Sequence, residues 1–177
     1  LSQKRKEKGL KQRKIRAMVI GIPNVGKSTL INRLVKKNVT HTGNRPGITK
    51  GLDWIRINNS LELLDTPGIL WPKIENSKVG LNLASLTAIK EEIVQIEYVI
   101  NHILVTLNKY YPDILLQRYD ISKIDDISSA LDKIGIKRGC LMSGGIIDYD
   151  KVYTIILKDI KDGVIKNITF DRIEDYE

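Results

Sequence analysis

The chain has 177 residues, with 29 Lys or Arg against 21 Asp or Glu and a net charge of +8. It holds no apolar run of about 18 residues, so no membrane-spanning helix and no membrane partner is expected. A lone cysteine, Cys140, excludes an internal disulfide and fits a reducing, cytoplasmic setting, and two distant histidines, His41 and His102, offer no zinc cluster.

The charge is uneven along the chain. Residues 1–16 carry Lys4, Arg5, Lys6, Lys8, Lys11, Arg13, Lys14 and Arg16 against Glu7, so nearly all of the net charge sits there. A basic arm over 1–15 ahead of a near-neutral body reads either as an RNA-binding feature or as a solvated linker.

The first strand is expected over about 16–20, where Ala17-Met18-Val19-Ile20 is apolar. It leads into Gly21-Ile-Pro-Asn-Val-Gly26-Lys27-Ser28, two glycines, a lysine and a hydroxyl at phosphate-loop spacing. The following Thr29-Leu30-Ile31-Asn32-Arg33-Leu34-Val35 has apolar residues at helical spacing. Strand, glycine loop and helix are the context in which the motif has meaning. The glycines let successive backbone N–H groups turn inward on an anion, and the helix adds its positive end. Asn24, Val25, Gly26, Lys27, Ser28 and Thr29 are therefore the expected nucleotide contacts. Lys27 would reach the β- and γ-phosphates, and the Ser28 hydroxyl would ligate Mg²⁺. A plain glycine turn with a surface lysine would leave the Lys-Ser pair unexplained.

The segment from Asn38 to Gly51 is polar and glycine-bearing, and within Asn44-Arg45-Pro46-Gly47-Ile48-Thr49 the threonine is the candidate to close over Mg²⁺. Trp54-Ile55-Arg56-Ile57 and Leu61-Glu62-Leu63-Leu64, joined by Asn58-Asn59-Ser60, read as a hairpin. The second strand ends in Asp65-Thr66-Pro67-Gly68. Either this is only a turn, or, behind a phosphate loop, Asp65 stands beside the metal and the Gly68 N–H meets the γ-phosphate. The expected catalytic set is thus Lys27, Thr49 and Gly68, and the expected Mg²⁺ set is Ser28, Thr49 and Asp65. Loop, threonine, hairpin and Asp-x-x-Gly follow the order of a small GTPase. The residue after Gly68 is Ile69, which cannot orient water by a hydrogen bond as a glutamine would.

A boundary is expected near Pro72 to Val79. Beyond it the spacing predicts helices over 79–89, 91–109, after Pro112-Asp113, over 127–134 with Asp125 or Asp126 as N-cap and Gly135 as stop, and from Asp148 through Ile160. Val164 to Phe170 reads as a short strand or a packing tail. Asn108-Lys109-Tyr110-Tyr111 is the nearest string to the guanine-reading Asn-Lys-x-Asp, but Tyr111 stands where Asp is needed and the stretch reads as helix. The fold class is an α/β phosphate-loop NTPase portion with an incomplete doubly wound sheet, followed by an all-α C-terminal domain. The segments are 1–15, 16–76 and 77–177. Three strands are found where such a sheet has about five or six, so an exposed edge open to self-association is expected.

Together, residues 21–28, Pro46-Gly-Ile-Thr49, Asp65-Thr-Pro-Gly-Ile-Leu-Trp-Pro-Lys73, Lys137-Arg-Gly-Cys-Leu141 and Gly144-Gly-Ile-Ile-Asp148 resemble the ribosome biogenesis GTPase A family of circularly permuted GTPases. The resemblance runs from about Arg16 to Phe170. It implies guanine motifs that precede the phosphate loop, and so an N-terminally truncated or processed chain here. It also implies GTP/GDP and Mg²⁺ as ligands and slow intrinsic hydrolysis. In late assembly of the large ribosomal subunit, its partners would be the subunit precursor and rRNA. Asn24 matches an Asn that related potassium-stimulated GTPases use for K⁺; a loop cap is the alternative. Lys137, Arg138, Gly139 and Gly144-Gly145 are candidate rRNA contacts, or the glycines only end helices. The competing reading is an RNA- or ribosome-binding module whose nucleotide site is incomplete.

Overall fold

The computed structural model describes residue 9 and residues 14–36, 51–70, 73–89 and 94–175. Thr49 with its segment, His41, most of the basic arm, Trp71-Pro72 and the predicted helix start at Glu91 lie outside the described residues. The chain divides into two compact units, Leu1–Pro72 and Lys73–Glu177.

Among the described residues of the first unit, β1 (Ile15–Val19), α1 (Lys27–Val35), β2 (Asp53–Arg56) and β3 (Leu61–Asp65) form a small mixed sheet with one helix. The sheet order is β1-β3-β2. β1 runs parallel to β3 in a register from Ile15↔Leu61 to Val19↔Asp65. The predicted hairpin is present, with β2 antiparallel to β3 and Asp53 opposite Asp65. Its turn uses an asparagine for a chemical reason: Asn58 Oδ1 accepts from the amides of Ser60 at 2.8 Å and Leu61 at 2.9 Å, closing the chain reversal.

Alternation along the strands sets the two faces. Ile31 of α1 packs with Ile55 and Leu63, and Val19, Val35, Ile57 and Leu61 complete this small core. The opposite face stays open, with Met18 59%, Ile20 64% and Trp54 49% exposed. Two charges assigned to the basic arm belong to this face instead. Lys14 and Arg16 both pair with Glu62, and the Arg16 guanidinium lies 4.8 Å from the Trp54 ring centre. Strand pairing brings them there, because Arg16 stands opposite Glu62 in the register.

The second unit carries α2 (Ser77–Ser85), α3 (Ile96–Tyr110), α4 (Pro112–Tyr119), α5 (Ile127–Arg138), α6 (Tyr149–Lys161) and a short 3₁₀ turn, Ile173–Asp175. Helix α3 is central: its Val99, Ile100, Ile103, Leu104 and Leu107 are buried at helical spacing, and it packs against α2, α4 and α6. Three predicted boundaries are corrected. Helix α2 begins at Ser77, where Asn76 Oδ1 caps the amides of Lys78 and Val79, and ends at Ser85, two residues before Thr87 at φ 54°. Helix α3 begins only at Ile96, since Gln95 is extended. Gly135 does not stop α5. It is buried inside that helix, where an added Cβ would lie 2.9 Å from Ile147 Cγ2 and 3.3 Å from Val152 Cγ2. The stop is Gly139 at φ 68°. Asp126 is the N-cap of α5 and Asp148 that of α6. Gly144 and Gly145 end no helix; both have positive φ in the turn between the bridged residues Leu141 and Ile147. Residues 164–170 form no strand, and Ile165 and Phe170 are buried as a packing tail. His102 Nε2 meets Asn82 Oδ1 at 2.7 Å, and Asn82 Nδ2 donates to Asp171 at 2.6 Å, tying that tail to α2 and α3.

A polar cluster missing from the sequence reading joins α4 to α6. Asp159, only 4% exposed, accepts from Arg118 Nε at 2.7 Å, from the Arg118 Nη2 group and from the Tyr119 hydroxyl at 2.8 Å. Asp159→Ala would strand a guanidinium and a buried hydroxyl, so denaturant titration should show a loss of about 3 kcal/mol. Tyr119→Phe should cost about 1 kcal/mol. Burial, with Asp159 alongside, raises the Tyr119 phenol above its ordinary value of 10.0. The folded state therefore keeps this proton when the unfolded chain loses it. Its contribution to stability should be complete below pH 10 and decline above it, and Tyr119→Phe should remove that part of the alkaline decline in stability–pH curves.

Candidate functional site

The register of β1 with β3 places two sequence-distant segments side by side. After Val19 the chain enters the loop 21–26; opposite Val19 stands Asp65, at the start of the turn 65–68. Thr66, 3% exposed, fastens the junction by donating from Oγ1 to the Val19 carbonyl at 2.8 Å.

The loop has the backbone that its sequence demands. Asn24 has φ 60° and Gly26 has φ 90°. This left-handed pair lets the chain curl and then enter α1 at Lys27, with Gly26 as N-cap. No side chain caps that helix and its first turn carries no acidic residue, so an anion there meets the positive helix end without competition from a carboxylate in that turn. Lys27 and Ser28 stand in the first turn of α1. Val25 and Thr29 are exposed, and Asn24 is half-buried.

Ser28 and Asp65 come together. Ser28 Oγ donates to Asp65 Oδ2 at 3.2 Å. Asp65 is 2% exposed, and its Oδ1 is buried and accepts no hydrogen bond. A buried, unsatisfied carboxylate oxygen beside a hydroxyl is costly in a bare protein and suits a hard cation, whose ligands are oxygens. These two residues thus fit Mg²⁺. Lys27 Nζ donates to the Ile22 carbonyl at 2.8 Å, folding the side chain back over the loop. Burial lowers the Lys27 ammonium below its ordinary value, and the Asp65 charge offsets part of that.

Gly68 lies directly against the loop at Pro23, and the next amide, Ile69 N, donates to the Gly21 carbonyl at 3.1 Å. Spacing in the sequence marks Gly68, whereas the Gly21 and Ile22 carbonyls, Pro23 and Thr66 take part in the site without such a signal. Their contacts are made by backbone or by close approach, which leave little residue-type signal. The structure brings together Asn24 to Thr29, Asp65 and Gly68; Thr49 lies outside the described residues. Asn108, of the rejected guanine string, is inside α3, where its side chain donates to the Ile124 carbonyl at 3.1 Å and accepts from the Ile124 amide at 2.8 Å. Among the described residues no group of three or more His, Cys, Asp or Glu could hold a metal, and no helix is long and apolar enough to cross a membrane.

A family model described as 50S ribosome-binding GTPase matches residues 16–137. Ribosome biogenesis GTPase A of Bacillus pumilus is 54% identical over 170 residues, 96% of this chain and 60% of that protein. The Priestia megaterium protein of the same name is 52% identical over 166 residues, 93% of this chain and 58% of its own length. The GDP-bound structure of TM YlqF superposes with a TM-score of 0.60 at 25% identity, covering 98% of this chain and 66% of that one. GNP-bound YlqF from T. maritima gives a TM-score of 0.59 at 24% identity, covering 96% and 64%. The chain spans 60% of the Bacillus pumilus relative's length.

Proposed function

The chain belongs to the 50S ribosome-binding GTPase family, and on that premise we propose that it carries the phosphate- and metal-binding half of a GTP-hydrolysing assembly factor for the large ribosomal subunit. The observation that supports this best is the Ser28–Asp65 contact with its unsatisfied Asp65 oxygen, set at the mouth of a phosphate loop.

In this reading, the amides of residues 24–29 and the N-terminal end of α1 hold the phosphates of GTP. Lys27 swings from the Ile22 carbonyl to the β- and γ-oxygens. Ser28, Asp65 and Thr49 would hold Mg²⁺, which when bound would neutralise charge on those oxygens. The Gly68 amide meets the γ-phosphate. Water attacks the γ-phosphorus, the bond to the bridging oxygen breaks, and GDP and phosphate leave. Ile69 is 65% exposed and apolar, so it cannot align that water, and hydrolysis by the chain alone is slow. Asn24, in a left-handed loop conformation, would serve as a K⁺ ligand in this reading.

GTP orders Thr49 and the turn 65–68 and favours the subunit-bound form, and hydrolysis releases it. The cytoplasmic subunit precursor is the partner, and rRNA is contacted by the basic arm and by Lys137 and Arg138 at the end of α5. The helical second unit serves as the ribosome-docking domain. The open face at Met18, Ile20 and Trp54 offers a surface for self-association.

One observation favours a second reading, an RNA- or ribosome-binding module with an incomplete nucleotide site: the sequence holds no Asn-Lys-x-Asp, and Asn108 is committed to Ile124. Lys27→Ala separates the two. If the first is right, equilibrium titration should show Mg·GTP affinity falling by about a hundredfold, with RNA binding unchanged; if the second is right, neither property changes. Asp65→Asn should abolish the rise in melting temperature that Mg²⁺ with GDP gives the wild type. RNA affinity should fall steeply as salt rises, and its log–log salt slope should flatten when Lys137 and Arg138 are changed to Ala.

A further inference from the structure

Between β3 and Ile69 two hydrogen bonds among the described residues anchor the chain. Thr66 is fixed to the Val19 carbonyl, and Ile69 N is fixed to the Gly21 carbonyl. Gly68 sits between these two anchors and rests on Pro23. A Cβ built on Gly68 would lie 2.6 Å from Pro23 N, 2.7 Å from its Cα and 2.8 Å from its Cγ. Two of those three atoms are backbone, so no side-chain rotation relieves the overlap.

The contact explains both residue types. Gly68 is not among the glycines with positive φ, so its place here is decided by space and not by backbone conformation. Proline has no N–H. At any other residue type, an amide donor at position 23 would be covered by this approach and would need an acceptor. A residue without a side chain meets a residue without a donor, and two backbones approach without leaving a polar group stranded.

We propose that Pro23 is a positioning residue for Gly68. The loop proline is the stop against which the turn rests, and it sets how closely the Gly68 amide comes to the terminal phosphate. This pair then contributes to discrimination between triphosphate and diphosphate, beside the γ-phosphate contact of Lys27. Ser28 and the loop amides serve phosphates that both nucleotides share and Lys27 reaches the β- as well as the γ-phosphate, whereas the Gly68 amide meets the γ-phosphate alone. This inference rests on the reading of the site as a GTP site.

The test is calorimetric titration of the wild-type chain, Pro23→Ala, Gly68→Ala and the double variant with Mg²⁺ plus either GDP or a non-hydrolysable β,γ-imido GTP analogue. Hydrogen exchange at the Ile69 amide is read on the same proteins. Gly68→Ala should lower affinity for the triphosphate about tenfold, the worth of one charge-assisted hydrogen bond, and change GDP affinity by less than about threefold. Pro23→Ala should lower the triphosphate-to-diphosphate affinity ratio in the same direction. The two losses should be less than multiplicative in the double variant, and Ile69 should exchange faster in each. Equal losses for both nucleotides, or an unchanged ratio in Pro23→Ala, would overturn the positioning role while leaving the site assignment intact. A wild type that binds neither nucleotide would overturn the site assignment, and this inference with it.

Discussion

Five consecutive pairs between parallel strands, Ile15 with Leu61 through Val19 with Asp65, decide where the phosphate loop and the aspartate turn begin. A slip of one residue would invert every side chain of β1 relative to the sheet and carry Asp65 away from Ser28. The pairing is held on one face by Ile31, Ile55 and Leu63 and at its end by the Thr66 hydroxyl on the Val19 carbonyl. Three contacts of the first unit follow from this register: the Ser28–Asp65 contact, the Ile69–Gly21 bond and the approach of Gly68 to Pro23.

The same unit is one-sided. Helix α1 covers one face of the sheet, while Met18, Ile20 and Trp54 remain exposed on the other. The contacts of that face are polar and peripheral, with Glu62 holding Lys14 and Arg16. Exposed ion pairs of this kind contribute little to stability. The second unit is organised differently. Helix α3 is surrounded by apolar neighbours, and the buried Asp159 joins α4 to α6 with three donors from two adjacent residues.

The sequence was most legible where spacing carries the constraint. The glycines and Lys27-Ser28 define the loop, the alternation around Ile55 and Leu63 defines the hairpin, and Asp126 and Asp148 cap the helices that follow them. The resemblance read from those motifs agrees with relatives named Ribosome biogenesis GTPase A, and the chain belongs to the 50S ribosome-binding GTPase family. Legibility failed where tertiary packing overrides a local signal. Gly135 reads as a helix stop, but α5 runs through it because Ile147 and Val152 occupy the space a side chain would need. The helix predicted from Glu91 starts only at Ile96, since apolar periodicity does not say where the backbone becomes helical. Lys14 and Arg16 read as arm charges from sequence alone, whereas strand register sets Arg16 opposite Glu62, which pairs with both. Pro23 had no signal of its own, because its role is a close approach to a residue distant in sequence.

We propose that Ser28 and Asp65 form the metal half of a nucleotide site. The measurement that tests it most directly is anomalous diffraction from crystals of this chain grown with GDP and Mn²⁺, the manganese standing in for Mg²⁺. The account predicts an anomalous peak beside Ser28 Oγ and the unsatisfied Asp65 oxygen, with the diphosphate cradled by residues 24–29. Diphosphate bound with the metal elsewhere, or a peak at Asp65 with no phosphate in the loop, would contradict it.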